Sequence, residues 1–179
     1  MQLETERLVL RDFTREDWIS VHAYSSNKQV TQYMLWGPNS EEDTKAYIEQ
    51  MIRSQQEIPR QSYELAVTLK GSGELIGGCG LVLHRSNGEV GYCFHPDAWG
   101  KGYATEAAQA LVTFGFQGQE LHRIYATCRP DNVGSANVMR KMGMKQEGHL
   151  REHRWAKEKY HDSYLFSILR QEYQAIAEV

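Results

Sequence analysis

The sequence lacks an excess of charge of either sign. Its 20 Lys and Arg stand against 23 Asp and Glu, a formal net charge of -3. Without a basic field, direct nucleic-acid binding is not expected. Cysteine is scarce: Cys79, Cys93 and Cys128 are odd in number and far apart. That excludes a disulfide framework and gives no zinc-ligand spacing. Each lies in a strand-like run and reads as a small buried apolar side chain, the alternative being a nucleophilic thiol. Thiols left free suit a reducing cytosol. No run of about 20 apolar residues is present. The opening "MQLETERLVLRDF" carries Glu4, Glu6 and Arg7 where a signal peptide would have its apolar centre. A soluble, cytoplasmic protein with no membrane partner is expected. Linkers, repeats and low-complexity segments are also missing, so the 179 residues read as one domain, 1–179.

What is present alternates between two periodicities. "RLVLRDF" (7–13) alternates apolar and polar residues, as a half-buried strand does. Thr14, with Asp17 three residues on, predicts a helix start, and Trp18, Val21 and Tyr24 follow at helical spacing. "WGPNS" (36–40) is turn chemistry. Ser40 caps a second helix whose first turn holds Glu41, Glu42 and Asp43, where the helix dipole favours acids. Three strands follow: 62–69, with Tyr63, Leu65, Val67 and Leu69 on one face; 75–84, rich in glycine; and 89–95. Turns are predicted at 70–74 and 86–88. A helix over 103–116 buries Ala107, Ala108, Leu111, Val112 and Phe116. A strand at 123–128 precedes a helix within 130–143 that ends at Gly143. Residues 149–159 read as strand and turn, and 163–169 as a last strand. The order β-α-α-β-β-β-α-β-α-β-β is a mixed α/β (α+β) domain.

The stretch "HPDAWGKGYATEA" (95–107) sets the functional question. A Walker A loop needs Lys followed by Ser or Thr, but Gly102 follows Lys101. A dinucleotide fingerprint needs Gly or Ala where Thr105 stands, inside an early βαβ unit. The third reading is a pyrophosphate held over a helix N-terminus. Gly100 and Gly102 allow positive φ, and the amides of Gly100 to Thr105 converge on one anion. Lys101 adds a charge or is merely solvated. The plain alternative is a turn that only starts a helix.

"GYCFHPDAWGKGYATEAAQALVTFGF", followed by "RPDNVGSANVMRKMGM", resembles the acetyl-CoA-binding core of the GNAT superfamily of N-acetyltransferases. "LETERLVLRDFTREDW" and "HDSYLFSILRQEY" are similar to its ribosomal-protein N-terminal acetyltransferase branch. The resemblance spans nearly the whole chain. It implies a mostly antiparallel central sheet flanked by helices, with a strand splay at the cofactor site and acetyl-CoA as cosubstrate. Gly102 and Ala104 match the family's Gln/Arg-x-x-Gly-x-Gly/Ala loop, with Trp99 in place of Gln or Arg. The resemblance assigns the pyrophosphate to the loop Trp99, Gly100, Lys101, Gly102, Tyr103, Ala104 and Thr105. It assigns the pantetheine arm to the backbone of Tyr92, Cys93 and Phe94, and a further cofactor contact to Asn132. Ser135, with Asn137 close by, lies where this branch places a Ser near the cofactor sulfur.

The implied reaction is direct attack of an amine on a thioester. Ser135 either donates to the departing sulfur or caps a helix. Glu89, at the start of the splayed strand, is the candidate base, directly or through water; it also reads as a surface carboxylate. His84 and His95 are weaker bases, and His95 before Pro96 reads as a turn residue. His149 and His153 have i,i+4 spacing but no third ligand, so no metal is expected. Tyr33 and Trp36 either line an acceptor groove or pack on the sheet. An α-amine of pKa about 8 is far more often neutral at pH 7 than a lysine of about 10.4. A protein or peptide N-terminus is therefore the preferred acceptor, with a small-molecule amine (amino acid, polyamine or antibiotic) as the alternative. The rival from another class is a non-catalytic acyl-CoA-binding domain. The sequence fits a monomer or a homodimer.

Overall fold

The computed structural model describes residues 1–177. Eight strands form one sheet in the order β1-β2-β3-β4-β5-β6-β8-β7. They are β1 (Gln2–Glu4), β2 (Leu8–Asp12), β3 (Ser62–Leu69), β4 (Leu75–His84), β5 (Asn87–Phe94), β6 (Arg123–Cys128), β7 (Lys145–Ala156) and β8 (Lys159–Leu169). Every neighbouring pair is antiparallel except β5 with β6. Among the described residues six α-helices accompany it: α1 (Trp18–Ser25), α2 (Lys28–Thr31), α3 (Glu41–Ser54), α4 (Tyr103–Thr113), α5 (Val133–Lys141) and α6 (Arg170–Ala177).

The period-two alternation sends side chains to two separate cores. Leu8, Leu10, Leu65, Val67, Cys79, Leu81, Val90 and Ile124 pack with the buried side of α4, made of Ala107, Ala108, Leu111 and Val112. On the opposite face Ala66 meets Phe13, Val21, Tyr24, Ile48 and Met51 from the α1 and α3 side. Ser40 caps α3 as its sequence predicts: its Oγ accepts from Asp43 N at 3.1 Å, and Asp43 Oδ2 accepts from Ser40 N at 3.0 Å. Thr14 N donates to Asp17 Oδ2 at 2.8 Å, so the predicted box forms there too.

Seven elements differ from the expectation. β1, α2 and α6 are additions too short to leave a periodic signal. β5 begins at Asn87, inside the predicted turn, which leaves Arg85 at φ +59° to make the corner. The helix predicted to 116 is α-helical to Thr113 and closes as a π turn, Phe114–Gly118. Gly115 allows that tight ending, since a methyl there would meet Ile124 Cδ1 at 2.7 Å. β7 and β8 form a long hairpin in place of the short strand and turn.

Candidate active site

The site begins where two strands part. β5 pairs with β6 only at Asn87–Arg123, Gly88–Ile124 and Glu89–Tyr125. β5 continues to Phe94 and β6 to Cys128 without further pairing to each other. The β6-facing edge of Val90–Phe94 therefore has no strand partner, while its other edge stays bound to β4. Backbone amides and carbonyls on such an edge need partners. This is the splay the sequence anticipated, at Tyr92, Cys93 and Phe94.

One wall of the fork is made by a pair of hydroxyls. Tyr92 Oη lies 3.0 Å from Ser135 Oγ and donates to Ser135 O at 3.0 Å. Burial lifts the Tyr92 phenol well above its usual value, the Ser135 hydrogen bond opposing, so it remains an O–H donor. Ser135 is not the helix cap: Asn132 Oδ1 accepts from Ser135 N at 3.0 Å and caps α5. Asn132, expected on the cofactor, thus has its side-chain oxygen committed to the helix start. Asn137 is exposed and accepts from Arg140 at 3.1 Å.

The glycine loop follows the fork. Gly100 and Gly102 both have positive φ, +73° and +83°. Gly102 is the N-cap of α4 and no side chain caps it. The first helical bond is Glu106 N to Gly102 O, so the earlier amides, through Tyr103, Ala104 and Thr105, have no intrahelical partner. Free amides, a left-handed glycine and the positive end of an 11-residue helix make an anion cradle. Lys101 is exposed beside it. Trp99, where the family prefers Gln or Arg, donates its indole N–H to Phe94 O at 2.9 Å. It ties the loop to the strand, and it occupies the Phe94 carbonyl.

Sequence reasoning missed what holds this loop. The Arg7 guanidinium donates to Lys101 O at 3.0 Å, stacks 4.6 Å from the Tyr103 ring centre and pairs with Glu106 at 2.6 Å. Thr5 Oγ1 also donates to Glu106 at 2.6 Å. Burial works to raise the Glu106 carboxyl, but Thr5 and Arg7 outweigh it and hold it below its usual range. Arg7 is 99 residues away from Glu106 in sequence, which leaves no local signal.

Glu89 closes the narrow end of the fork. Its carboxylate accepts from Tyr125 Oη at 3.3 Å, with Arg154 at 4.0 Å and His84 at 3.9 Å. His95 sits in the turn, where its Nδ1 accepts from Asp97 N. Burial pushes the Cys93 thiol up to about 12 and also raises Cys79 and Cys128, which leaves all three as neutral thiols. Trp36 is exposed and Tyr33 half-buried in the connection between α2 and α3. His149 is bound to Asp162, and no cluster of three metal-ligating side chains occurs among the described residues. No helix among them is long and apolar enough to cross a membrane.

The comparisons with known proteins agree with this geometry. Residues 7–145 match the family model described as acetyltransferase (GNAT) domain. The uncharacterized N-acetyltransferase YnaD of Bacillus subtilis is 36% identical over 97% of this chain and 99% of its own length. The spermidine N(1)-acetyltransferase of Escherichia coli is 29% identical over 93% of this chain and 88% of its own. A GNAT-family acetyltransferase from Bacillus anthracis superposes with a TM-score of 0.86 at 35% identity, covering 96% of this chain and 99% of that one. RimL, a ribosomal L7/L12 α-N-protein acetyltransferase solved with coenzyme A, has a TM-score of 0.84 at 20% identity, covering 94% and 98%, and so shares the fold. The forked sheet, the uncapped glycine loop and the matches in sequence place this chain in the GNAT acetyltransferase family, as an N-acetyltransferase.

Proposed function

We propose that the protein transfers the acetyl group of acetyl-CoA to a primary α-amine, a protein or peptide N-terminus in the first place. The observation that carries the donor side is the uncapped N-terminus of α4 behind Gly100 and Gly102, set at the mouth of the β5–β6 fork. A pyrophosphate fits those amides, and an extended arm fits the unpaired edge of Tyr92–Phe94. Its thioester then ends near the Tyr92–Ser135 hydroxyl pair. Ser135 or Tyr92 donates a hydrogen bond to the departing sulfur. A thiol of pKa about 8.5 is already a fair leaving group, so this help is modest. Glu89 draws the acceptor ammonium toward the fork and orders water at its narrow end. Tyr33 and Trp36 line the approach. Three free thiols and a coenzyme A donor suit the cytoplasm.

The named relatives act on different amines: one on spermidine, another on a ribosomal protein's α-amine. What favours the α-amine here is the charge near Glu89. Arg154 approaches it, with Arg129 and Lys157 beyond; burial and Arg154 hold the His153 imidazole toward its neutral form. A polyamine with several positive charges meets repulsion from that wall, whereas a single ammonium does not.

Calorimetric titration with acetyl-CoA, against NADH and ATP as comparators, tests the donor half. Selective binding of acetyl-CoA is expected. Gly102→Val should abolish it, since the backbone sits at φ +83° and an added Cβ lies 3.3 Å from Arg7 Nη2. Unchanged affinity in Gly102→Val removes the phosphate-loop reading. Acetyl transfer to peptide N-termini, compared with spermidine, tests the acceptor half.

A further inference from the structure

A second carboxylate stands on the acceptor side of the sheet, on a residue that strand alternation alone would place in solvent. Glu64 lies on β3 opposite Gly80 of β4, which lies opposite Gly91 of β5. The next row is Ala66, Gly78 and Cys93. A methyl placed on Gly80 would fall inside the Glu64 carboxylate, so that side chain leans across β4 toward β5. A methyl on Gly78 would touch Phe13 and the Tyr24 hydroxyl at 3.4 Å, which identifies this face as the one under α1 and α3. A methyl on Gly91 would meet nothing within 4 Å. The three glycines thus clear a hollow beside the splayed half of β5. Strands lie about 4.8 Å apart, so the carboxylate above Gly80 is roughly 5 Å from the Gly91 backbone.

No described residue donates a hydrogen bond to Glu64 or pairs with it. The titratable groups that face it are Tyr24 from α1, Tyr47 from α3 and Cys93 from β5, with Cys79 in β4 beneath. All four are neutral acids, raised by burial, and no Lys, Arg or His offsets the burial of Glu64. Glu64 is half-buried, and a carboxylate drawn that far out of water without a partner is costly. Its cost is relieved by a cation that arrives from outside.

We propose that Glu64 is the catalytic proton acceptor for the incoming amine. This deepens the reading of the chain as an α-amine acetyltransferase and rests on it. The acceptor enters as an ammonium and hydrogen-bonds to Glu64 over the Gly80–Gly91 floor. One N–H proton passes to the carboxylate. The freed lone pair forms the N–C bond to the thioester carbonyl carbon, and the C–S bond breaks with its electron pair on sulfur. The second proton of the nitrogen goes to the thiolate, directly or through water. Glu64 returns its proton to solvent. Burial raises the Glu64 carboxyl to about 7, one unit below an α-amine, so the transfer is nearly balanced at neutral pH. Glu89 differs in having Tyr125 and Arg154 already against it.

The test uses the full chain, acetyl-CoA and glycinamide as a minimal α-amine. Wild type should show kcat/KM with an acid limb near pH 7 and a basic limb near the amine pKa. Glu64→Gln should lower kcat/KM about 10²-fold or more and replace the bell, with its limb near pH 7, by a single rise through the amine pKa, because only the neutral amine can then attack, with acetyl-CoA affinity unchanged. Glu89→Gln should keep the limb. A limb retained in Glu64→Gln and lost in Glu89→Gln overturns the proposal. A second measurement needs no turnover: the carboxyl carbon of Glu64, followed by NMR, should titrate at a lower pH when glycinamide is present. A midpoint unmoved by glycinamide also overturns it. If wild type fails to bind acetyl-CoA, the donor reading falls, while the carbon titration still decides whether Glu64 receives an amine.

Discussion

Ser135 and Asn132 divide two duties that the sequence could not separate. Both are N-cap residue types within four positions, and either can start a helix. The backbone decides: Asn132 holds the cap, and Ser135 Oγ is left 3.0 Å from Tyr92 Oη. In the proposed reaction this hydroxyl pair is a relay in which either member donates to sulfur. Losing one member should therefore cost less than losing both. Ser135→Ala and Tyr92→Phe are each expected to lower kcat several-fold at unchanged acetyl-CoA affinity. The double variant should lose about 10²-fold. Single-turnover rates with saturating acetyl-CoA measure this, and a double variant no worse than either single one removes the relay. The strand splay at Tyr92–Phe94 was expected from the resemblance to the GNAT family, and β5 does part from β6 after Glu89. Glu64 was not expected, because a Glu in an alternating strand reads as a solvated face. Only the register across three strands sets it beside two glycines.

The glycine loop is held by a partner from the other end of the chain. Arg7 lies just before β2, and α4 packs on β2 and β4. The Arg7–Glu106 pair is thus a clasp between the first strands and the loop. It also solves an electrostatic conflict, because Glu106 puts a carboxylate in the first turn of the helix whose N-terminus is proposed to receive phosphates. Paired with Arg7, that charge is neutralised. Arg7→Ala should weaken acetyl-CoA binding about tenfold, more at low salt than at high. Adding Glu106→Gln to Arg7→Ala should recover most of it. Calorimetry at two ionic strengths reads both effects, and equal losses in the single and double variants would assign Arg7 to loop shape alone. Local patterns foretold α3, α4 and β3–β6 well, since caps, apolar stripes and alternation are written within each element. They missed β1, α2 and α6, whose three to eight residues gain their order from the sheet they join.

At the scale of the molecule, two sets of carboxylates pull stability in opposite directions with pH. Burial works to raise Asp17, but Arg11 and the Thr14 amide outweigh it and hold it below its usual range. Burial likewise opposes, and Arg60 with the N-terminal ammonium depresses, Asp12. These two contribute stability above the unfolded value of 3.8, lost as pH falls through their folded values. Glu64 has the reverse sign. Its folded value of about 7 exceeds the model-peptide value of 4.5, so the native state binds the extra proton. Stability from the neutral form is full below pH 4.5 and is lost as pH rises through 7. His153, lowered by burial, changes in the opposite sense over part of that window. Comparison with Glu64→Gln isolates the one group, because His153 is common to both proteins. The two should melt together near pH 5. At pH 8 the Gln variant should be more stable by about 1–3 kcal/mol, on the order of 5 °C in Tm for a chain of this length. A Tm difference that stays constant from pH 5 to 8 would mean that Glu64 ionises as an ordinary surface acid. A difference that grows would mean that the fold carries an unpaired, half-buried charge at neutral pH, and that charge is what an arriving ammonium finds. The site then gives up stability in the free protein for affinity and proton transfer in the complex, and the variant that melts highest at pH 8 is the one that transfers acetyl groups most slowly.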